Sequence, residues 1–514
     1  MTENKRIALN IVATYARSLF GIVCGLYSGR WALAALGDID YGLYGVVGGL
    51  AGFISFINGL MADAVGRFYA YAVGESKISG GDGVDVCIKW FNTALIVHLV
   101  VPSFLVLMGY PAGVWTIKNW LTIPADRVPA CIWVFRCVCV GCFVGMVNVP
   151  FTAMYRAKLY IAELTIYGFA QTLANVIFLY YIASNPGDWL VVYAVWNCIL
   201  IVVPHLLICI RACIVFTECR LKTGYLLDIG RFKQLFSFAV CRFGGALCGI
   251  VSNQGMALLV NKMLGPTKNA AMAVANSASS HAQTFAGALT SALYPVVTNS
   301  AGEGDMEKMR KWAFAACKFS VFFVLVFALP LMCEIDEVMK LWLVKPPRAA
   351  PFLCWCLLIV SVLENITSGH YMAIFSIGSI KHYQFWVSIA GLAALPFSYL
   401  LVLLFDGIRG VGVALIMTAV LIVAVRLYFG RTVGTMPVKY WVQKILFPFL
   451  GASLVSYFAG RLLSLSIPPS PMRVFFATCL IEIIFLPLAW RFAMDKSERE
   501  YLVCRLKMAK RLKR

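Results

Sequence analysis

Residues 189–210 read WLVVYAVWNCILIVVPHLLICI and contain no Asp, Glu, Lys or Arg. A helix of this length extends about 33 Å at a rise of ~1.5 Å per residue, which is enough to cross the hydrocarbon core of a bilayer. Apolar stretches of similar length recur along the chain, bounded by Gly, Pro, Asn or charged residues. The sequence therefore predicts an all-α membrane protein with about fourteen spans. We place these spans at residues 7–27, 43–64, 90–108, 131–150, 161–182, 189–210, 235–260, 270–294, 312–332, 351–374, 384–404, 411–429, 443–463 and 473–490.

The overall composition excludes a water-soluble globule. Hydrophobic residues make up 61% of the 514 residues and charged residues 13%, whereas soluble proteins are close to half apolar and a quarter charged. The longest polar segments, 211–233 and 491–514, are too short and too basic to fold alone, so we expect them to be amphipathic or frayed cytosolic pieces. Because no separate catalytic domain is left over, we predict that the protein is not an enzyme.

The formal net charge is +20, which in a soluble protein would suggest a nucleic-acid partner. Here the excess Lys and Arg residues lie in loops and in the tail, where anionic lipid attracts them. Placing both termini in the cytosol puts most basic loop residues on the cytosolic side, as the positive-inside rule favours. We therefore predict cytosolic termini, membrane lipids as partners and no nucleic acid.

The eighteen cysteines lie mostly inside apolar runs, where a free thiol behaves as a small hydrophobe. No His or carboxylate lies near them at the spacing of metal ligands. We therefore expect no metal site and no bound cofactor. The small ion that the sequence does suggest is a coupling ion, H⁺ or Na⁺.

Two regions of the sequence repeat each other. Leu36-Gly37 and Leu264-Gly265 open the two copies, and the Gly-Glu pairs that end at Glu75 and Glu303 close them, 228 residues apart at both ends. Six predicted spans separate the copies, so both halves have the same orientation and are related by an axis along the membrane normal. We expect two six-helix bundles around a central cleft, followed by two extra helices. The predicted segments are the N-terminal bundle (1–210), a cytosolic linker (211–233), the C-terminal bundle (234–430), the extra helices (431–490) and a basic cytosolic tail (491–514).

Cations inside the spans are costly in hydrocarbon and mark candidate sites. We single out four of them: Arg17, Arg136, Arg242 and Lys318. Arg17 and Arg242 lie on the first helix of each half and share a helical face with glycines, which favours packing or a cavity over lipid contact. An arginine fork suits a phosphate or pyrophosphate group, so both are candidate pyrophosphate-binding residues, with Arg136 as a third. For Arg136 and Lys318 the alternative is a side chain that reaches the interface from a helix end.

Uncharged polar residues in the spans are candidates to line the cavity, although hydrogen bonds between helices are the commoner role. They are Asn58, Gln171, Asn175, Asn253, Asn276 and Gln283. Glu364 is the main intramembrane acid, and Glu482 lies in the last span. Glu364 is a candidate to couple H⁺ or Na⁺ to transport, and a partner for a nearby Arg is the alternative.

The repeated segments also resemble a known family. They read LGDIDYGLYGVVGGLAGFISFINGLMADAVGRFYAYAVGE at 36–75 and LGPTKNAAMAVANSASSHAQTFAGALTSALYPVVTNSAGEGD at 264–305. These segments, with the length and span number, resemble bacterial polysaccharide (O-antigen and capsule) flippases of the multidrug/oligosaccharidyl-lipid/polysaccharide (MOP) superfamily. The resemblance implies that an undecaprenyl-pyrophosphate-linked oligosaccharide moves from the cytosolic to the outer leaflet of the bacterial inner membrane by alternating access. It also implies a cationic cavity, to which Arg17 and Arg242 would contribute, and partner glycosyltransferases and a polymerase.

Several alternatives remain open at this stage. A MATE-type drug or cation antiporter of the same superfamily would be expected to have twelve spans and an acidic cavity. A lipid II flippase shares the extra helices and the cationic cavity, and sequence alone separates it poorly from a polysaccharide flippase. A membrane-embedded enzyme would need an acid-base constellation at the membrane surface, and a channel would need a filter or a pore ring; we find neither signature.

Overall fold

The fold is taken from a computed structural model of the chain. It describes residues 3–50, 65, 68–69, 82–158, 160–225, 228–302, 304–343, 345–377, 380–405, 407–494 and 499. Within these ranges the secondary structure consists of helices and turns, without β-strands. The prediction of an all-helical protein is confirmed.

Seventeen helices account for most of the described residues. The first eight are α1 (Glu3–Leu50), α2 (Asp82–Asn119), α3 (Val128–Val147), α4 (Val149–Ala157), α5 (Ile161–Ser184), α6 (Leu190–Val215), α7 (Ile229–Leu264) and α8 (Pro266–Gly302). The others are α9 (Met306–Cys333), α10 (Ile335–Trp342), α11 (Ala350–Asn365), α12 (Ser368–Ile377), α13 (Ile380–Leu392), α14 (Ala394–Leu404), α15 (Ile408–Thr432), α16 (Val438–Ser466) and α17 (Pro471–Ala493). α16 and α17 each include a π-helical turn.

Nine continuous helical stretches in the described part of the chain are long and apolar enough to cross a membrane, and the bent pair α11–α12 would be a tenth. The protein is therefore a multi-pass membrane protein. The other four predicted spans lie in α1, α7 and α8 and in residues 51–64, which are outside the described residues. The total of fourteen spans and the cytosolic side of the termini remain predictions.

The internal repeat has a counterpart in the backbone. At Gly37, where α1 is kinked, φ is 71° and ψ is 174°. Gly265, 228 residues later, has φ 83° and ψ 174° and joins α7 to α8. This conformation is nearly exclusive to glycine, because a Cβ would clash with the neighbouring peptide. The same glycine corner therefore stands at the start of both sequence copies.

The chain divides into two compact units, residues 1–273 with 343–347 and residues 274–342 with 348–514. We call them unit 1 and unit 2. Unit 1 contains two apolar clusters, one around Phe91 and Tyr155 and one around Val46 and Phe135. Unit 2 contains a cluster that extends from α9 to the extra helices α16 and α17. The domain bounds predicted from the sequence remain a prediction.

Part of the predicted linker is packed against unit 1 and is not frayed. The Phe216 ring meets the edge of Tyr155 at a centroid distance of 4.9 Å, and the buried carboxylate of Glu218 pairs with Lys158 at 2.5 Å. The Asn92 side chain donates to the carbonyl of residue 220 at 2.9 Å and accepts from the amide N–H of residue 222 at 3.0 Å. The expectation of a frayed segment is wrong for residues 216–222, because buried polar contacts fix their backbone.

The extra helices are attached to unit 2 by a buried ion pair. Arg473, near the start of α17, donates to Glu334 at 2.7 Å, and the Glu334 side chain is 1% exposed. The Ser464 hydroxyl of α16 also donates to Glu334. Glu334 follows α9 in a predicted outer loop, so its pairing explains why an acid occurs there. Removing one partner would leave the other charge buried without compensation.

We expect Gly37→Ala and Gly265→Ala each to destabilise the protein by about 1–3 kcal/mol, because alanine is strained at these angles. Gly45→Ala is the matched control, since its added Cβ would meet only the Asn269 side chain at 3.9 Å. The control should be neutral or slightly stabilising. Thermal unfolding of the purified protein in detergent measures the difference. Equal midpoints for Gly37→Ala and Gly45→Ala would contradict the corner assignment.

Arg473→Gln should destabilise the protein by about 3–5 kcal/mol, because it leaves Glu334 buried and unpaired. The double variant Glu334→Gln/Arg473→Gln should be less destabilised, because it removes both charges. Lys340→Gln is the control: it breaks the exposed Lys340–Glu337 pair, which is worth less than about 1 kcal/mol. Thermal midpoints give the ranking, and an Arg473→Gln midpoint as high as that of Lys340→Gln would refute it.

Candidate functional site

Arg17 lies on α1 with an exposed side chain that rests against α5. A Cβ added at Gly168 would lie 2.5 Å from the Arg17 Cζ, so the glycine provides the space for the guanidinium. The rings of Phe20 and Phe169 pack beside it at 5.1 Å. Among the described residues no acid forms an ion pair with Arg17. This guanidinium is therefore positioned by packing, and no described residue accepts a hydrogen bond from it.

Two predicted cavity residues follow on the same face of α5. Gly168, Gln171 and Asn175 are spaced by three and four residues, which places them along one side of the helix. The Asn175 Oδ1 atom is buried and has no donor among the described residues. Arg17 of α1 thus lies against the face of α5 that carries Gln171 and Asn175. An arginine and two amides there provide hydrogen-bond donors suited to an oxyanion.

The remaining polar candidates are less completely placed. Arg242 belongs to the helical backbone of α7, but its side chain is outside the described residues, as is the whole of Asn58. Asn253 on α7 and Asn276 on α8 have exposed side chains. Their proposed roles in a cavity stay predictions.

Arg136 and Lys318 differ from each other in environment. The exposed Arg136 donates from Nε to the Tyr110 hydroxyl at 2.8 Å, and its Cζ lies 5.0 Å from the Trp133 ring centroid. Lys318 is 2% exposed on α9. A side chain that extended to the interface would be accessible, so that alternative is wrong for Lys318.

Unit 2 contains a polar cavity of about 250 Å³ that includes two predicted residues, Gln283 and Glu364. Its lining consists of Gln283, Gly287, Thr290, Glu364, Asn365, Ser368, Tyr371 and Arg426. Gln283 is fixed through its amide nitrogen, which donates to Ser361 Oγ at 2.8 Å. The structure therefore brings the candidate coupling acid and one of the candidate cavity amides together.

The cavity offers oxygen acceptors. The amide nitrogens of Gln283 and Asn365 donate to Ser361. In the described ranges no donor bonds to the Glu364 carboxylate or to the amide oxygens of Gln283 and Asn365. Such oxygens accept from water or a protonated group and can coordinate a hard cation. The arrangement suits a site that takes up H⁺ or Na⁺.

Arg426 on α15 was not among the four cations singled out, although it lies inside the predicted span 411–429. Its Nη1 donates to the Glu364 carbonyl at 2.9 Å and to Thr367 Oγ1 at 3.2 Å. The alternative role for Glu364 was to pair with a nearby Arg, and Arg426 is near it. The hydrogen bond from Arg426 goes to the main-chain carbonyl of Glu364. The sequence signal that could have identified Arg426 is its charge within an apolar stretch, because a charge in hydrocarbon requires a nearby hydrogen-bond acceptor.

These bonds stabilise a break in a membrane span. α11 and α12 meet at 42°, and the break frees carbonyl groups that water cannot reach in a bilayer. Arg426 bonds the Glu364 carbonyl, and Trp441 Nε1 donates to the Ile366 carbonyl at 2.9 Å. The break that shapes the cavity is thus maintained by side chains of α15 and α16.

Comparisons with known proteins identify the fold. A model of the polysaccharide biosynthesis protein family matches residues 126–345. The structure is similar to the lipid II flippase MurJ in an inward closed conformation, with a TM-score of 0.68 and 13% identity over 94% of this chain and 98% of that one. It is also similar to a multidrug resistance MATE transporter of the MOP superfamily in an inward-facing conformation, with a TM-score of 0.65 and 16% identity over 83% of this chain and 98% of that one. No curated protein sequence matches the chain. The resemblance is thus confirmed as a match to a polysaccharide biosynthesis family over residues 126–345 and as the fold that the MurJ and MATE transporter structures share.

Proposed function

We propose that this MOP-fold transporter is a flippase that moves an undecaprenyl-pyrophosphate-linked oligosaccharide from the cytosolic to the outer leaflet of the bacterial inner membrane. The observation that carries the proposal is the match of residues 126–345 to polysaccharide biosynthesis proteins. The fold agrees with it, because the lipid II flippase covers more of this chain than the MATE transporter does. Lipid II, the cargo named for the first of these proteins, is itself a lipid-linked pyrophosphate, which supports a cargo of this class. We propose glycosyltransferases as the partners that make this cargo and a polymerase as the partner that uses it.

Arg17 is the proposed pyrophosphate-binding residue that the described contacts support best. Its guanidinium has no acidic partner among the described residues, and Gly168 gives it room to turn toward a ligand. Two or more N–H groups of one arginine match two phosphate oxygens. We assign Arg242 to the same group through its equivalent first helix in the other sequence copy. Arg136 is not assigned to this group, because it shares a face of α3 with Trp133 and Val140, whose side chains are each 50% exposed.

The unit 2 cavity is the proposed coupling site. Movement of an anionic cargo against its gradient requires an energy source, and an acid in a polar cavity can exchange a proton or bind Na⁺. Glu364 is the acid there, and Gln283 and Asn365 supply further oxygens. In this proposal the cleft opens to each side in turn, and the charge state of Glu364 biases the two openings.

A lipid II flippase is the second candidate. The observation that favours it is the TM-score of 0.68 with a protein of that function. Both cargoes carry a polyprenyl pyrophosphate, so Arg17 would have the same role in each. The cargoes differ in the sugar portion, and a transport assay that uses both lipids separates them.

In liposomes, Arg17→Ala should lower the rate of inner-to-outer transfer of a fluorescent undecaprenyl-pyrophosphate oligosaccharide by about 10- to 100-fold, the equivalent of a charged hydrogen bond worth about 1.5–3 kcal/mol. Gly168→Ala should cause a smaller loss, because its Cβ would displace the guanidinium while the fold is kept. Arg156→Ala, which removes an exposed arginine of α4, is the matched control.

One result would oppose the role of Arg17, and two would oppose the proposed cargo. Full transfer by Arg17→Ala would exclude a pyrophosphate contact at this residue. Transfer of lipid II alone would favour the second candidate. Export of cationic dyes by a wild-type protein that moves no lipid-linked sugar would replace the flippase proposal with a MATE-type antiporter.

Glu364→Gln should abolish the dependence of transfer on an imposed H⁺ or Na⁺ gradient, because glutamine keeps the shape of the side chain but cannot ionise. The measurement is the transfer rate with and without each gradient. Glu482→Gln, which neutralises an intramembrane acid of α17 outside the cavity lining, is the control. If Glu364→Gln responded to both gradients as the wild type does, the coupling ion would have to act elsewhere.

A further inference from the structure

We propose that Arg136, Tyr110 and Trp133 form a binding site for the phosphate of a phospholipid in the outer leaflet. Tyr110 belongs to α2, and the other two residues belong to α3. The Tyr110 hydroxyl accepts from Arg136 Nε at 2.8 Å, and the guanidinium carbon lies 5.0 Å from the Trp133 ring centroid. The guanidinium is therefore oriented by two neighbours from different helices.

Most of the donors of this guanidinium have no partner in the part of the chain that the structure describes. Arginine carries five N–H groups, and the bond to Tyr110 uses the one on Nε. Within the described ranges no carboxylate or carbonyl accepts from the two terminal nitrogens of Arg136. An unsatisfied cation at this depth is costly, and lipid phosphate is the strong acceptor that a bilayer supplies. A phosphate can accept two parallel bonds from the terminal N–H groups.

The surface around Arg136 is apolar and accessible. Trp133, Arg136 and Val140 follow one another at intervals of three and four residues, so they share a face of α3. The side chains of Trp133 and Val140 are each 50% exposed, and Leu107 on α2 is 66% exposed. Large exposed apolar residues in a membrane protein are covered by lipid chains. The occupant must therefore combine alkyl chains with an anionic head, as a phospholipid does.

The depth of the site fits a headgroup. Arg136 lies eight residues after the first residue of α3, or about 12 Å along the helix. The predicted span begins at residue 131 on the outer side, which leaves Arg136 about 8 Å below that end. A long arginine side chain spans this distance, and Trp133 is of the residue type that marks the interface. The predicted topology assigns this interface to the outer leaflet.

Binding of dioleoylphosphatidylglycerol to the purified full-length protein tests the site, with native mass spectrometry as the readout. Arg136→Gln should weaken the first binding step by about fivefold, the equivalent of about 1 kcal/mol for one basic residue at a headgroup. Tyr110→Phe should weaken it less, because the charge stays but its orientation is lost. Dioleoylglycerol, which has the same chains and no phosphate, should not distinguish the variants from the wild type.

Arg409→Gln is the matched control, because it removes an exposed arginine from the start of α15 on the same predicted side. Equal binding of phosphatidylglycerol by Arg136→Gln and Arg409→Gln would overturn the proposal. The same measurement is made with undecaprenyl pyrophosphate. If Arg136→Gln weakened the binding of that lipid alone, the proposal would also be overturned, because the cargo would then be the occupant of the site. Tyr110→Phe keeps the test decisive if Arg136→Gln fails to fold. The readout requires no transport, so its outcome is independent of the flippase proposal.

Discussion

The constraint behind this structure is that hydrocarbon offers no hydrogen bonds to the backbone. A straight helix satisfies its own N–H and C=O groups, and for this reason apolar stretches of the sequence become helices. Wherever a span is interrupted, the protein has to supply replacement partners. The interruption between α11 and α12 illustrates this, since Arg426 and Trp441 bond the carbonyls of Glu364 and Ile366.

A polar side chain also connects neighbouring helices in the first half of the chain. α3 and α4 are separated at Asn148, whose buried amide donates to the His205 carbonyl of α6 at 2.7 Å. In unit 1 the junction of α3 and α4 is therefore tied to α6, and in unit 2 the broken span is tied to α15. Both ties use a polar side chain inside a predicted span. Polar residues at these places serve backbone structure first, which agrees with the general cost of burying them without partners.

The sequence predicted what depends on local pattern. The apolar stretches located the described spans, and the Leu-Gly pairs located two corners that share one glycine-specific conformation. Glu364 was selected as a candidate coupling residue because an acid in an apolar stretch is energetically costly in hydrocarbon. The sequence could not predict contacts between distant positions, such as Arg426 with the Glu364 carbonyl or Glu334 with Arg473. Those contacts depend on which helices become neighbours, and helical periodicity carries no information about that choice.

The cavities of the two units differ in their polar side chains. The unit 2 cavity contains Glu364 and Arg426, whereas a cavity of about 270 Å³ in unit 1, between α1, α3 and α6, is lined mainly by apolar residues, glycines and three cysteines. The exposed cation Arg17, without an acidic partner in the described residues, belongs to unit 1. In the proposed transport cycle the two ligands bind at separate places: the anionic cargo at Arg17 and Arg242, and the coupling ion in the unit 2 cavity. Two ligands can then influence each other only through a change of conformation, which is the requirement for coupling one gradient to another.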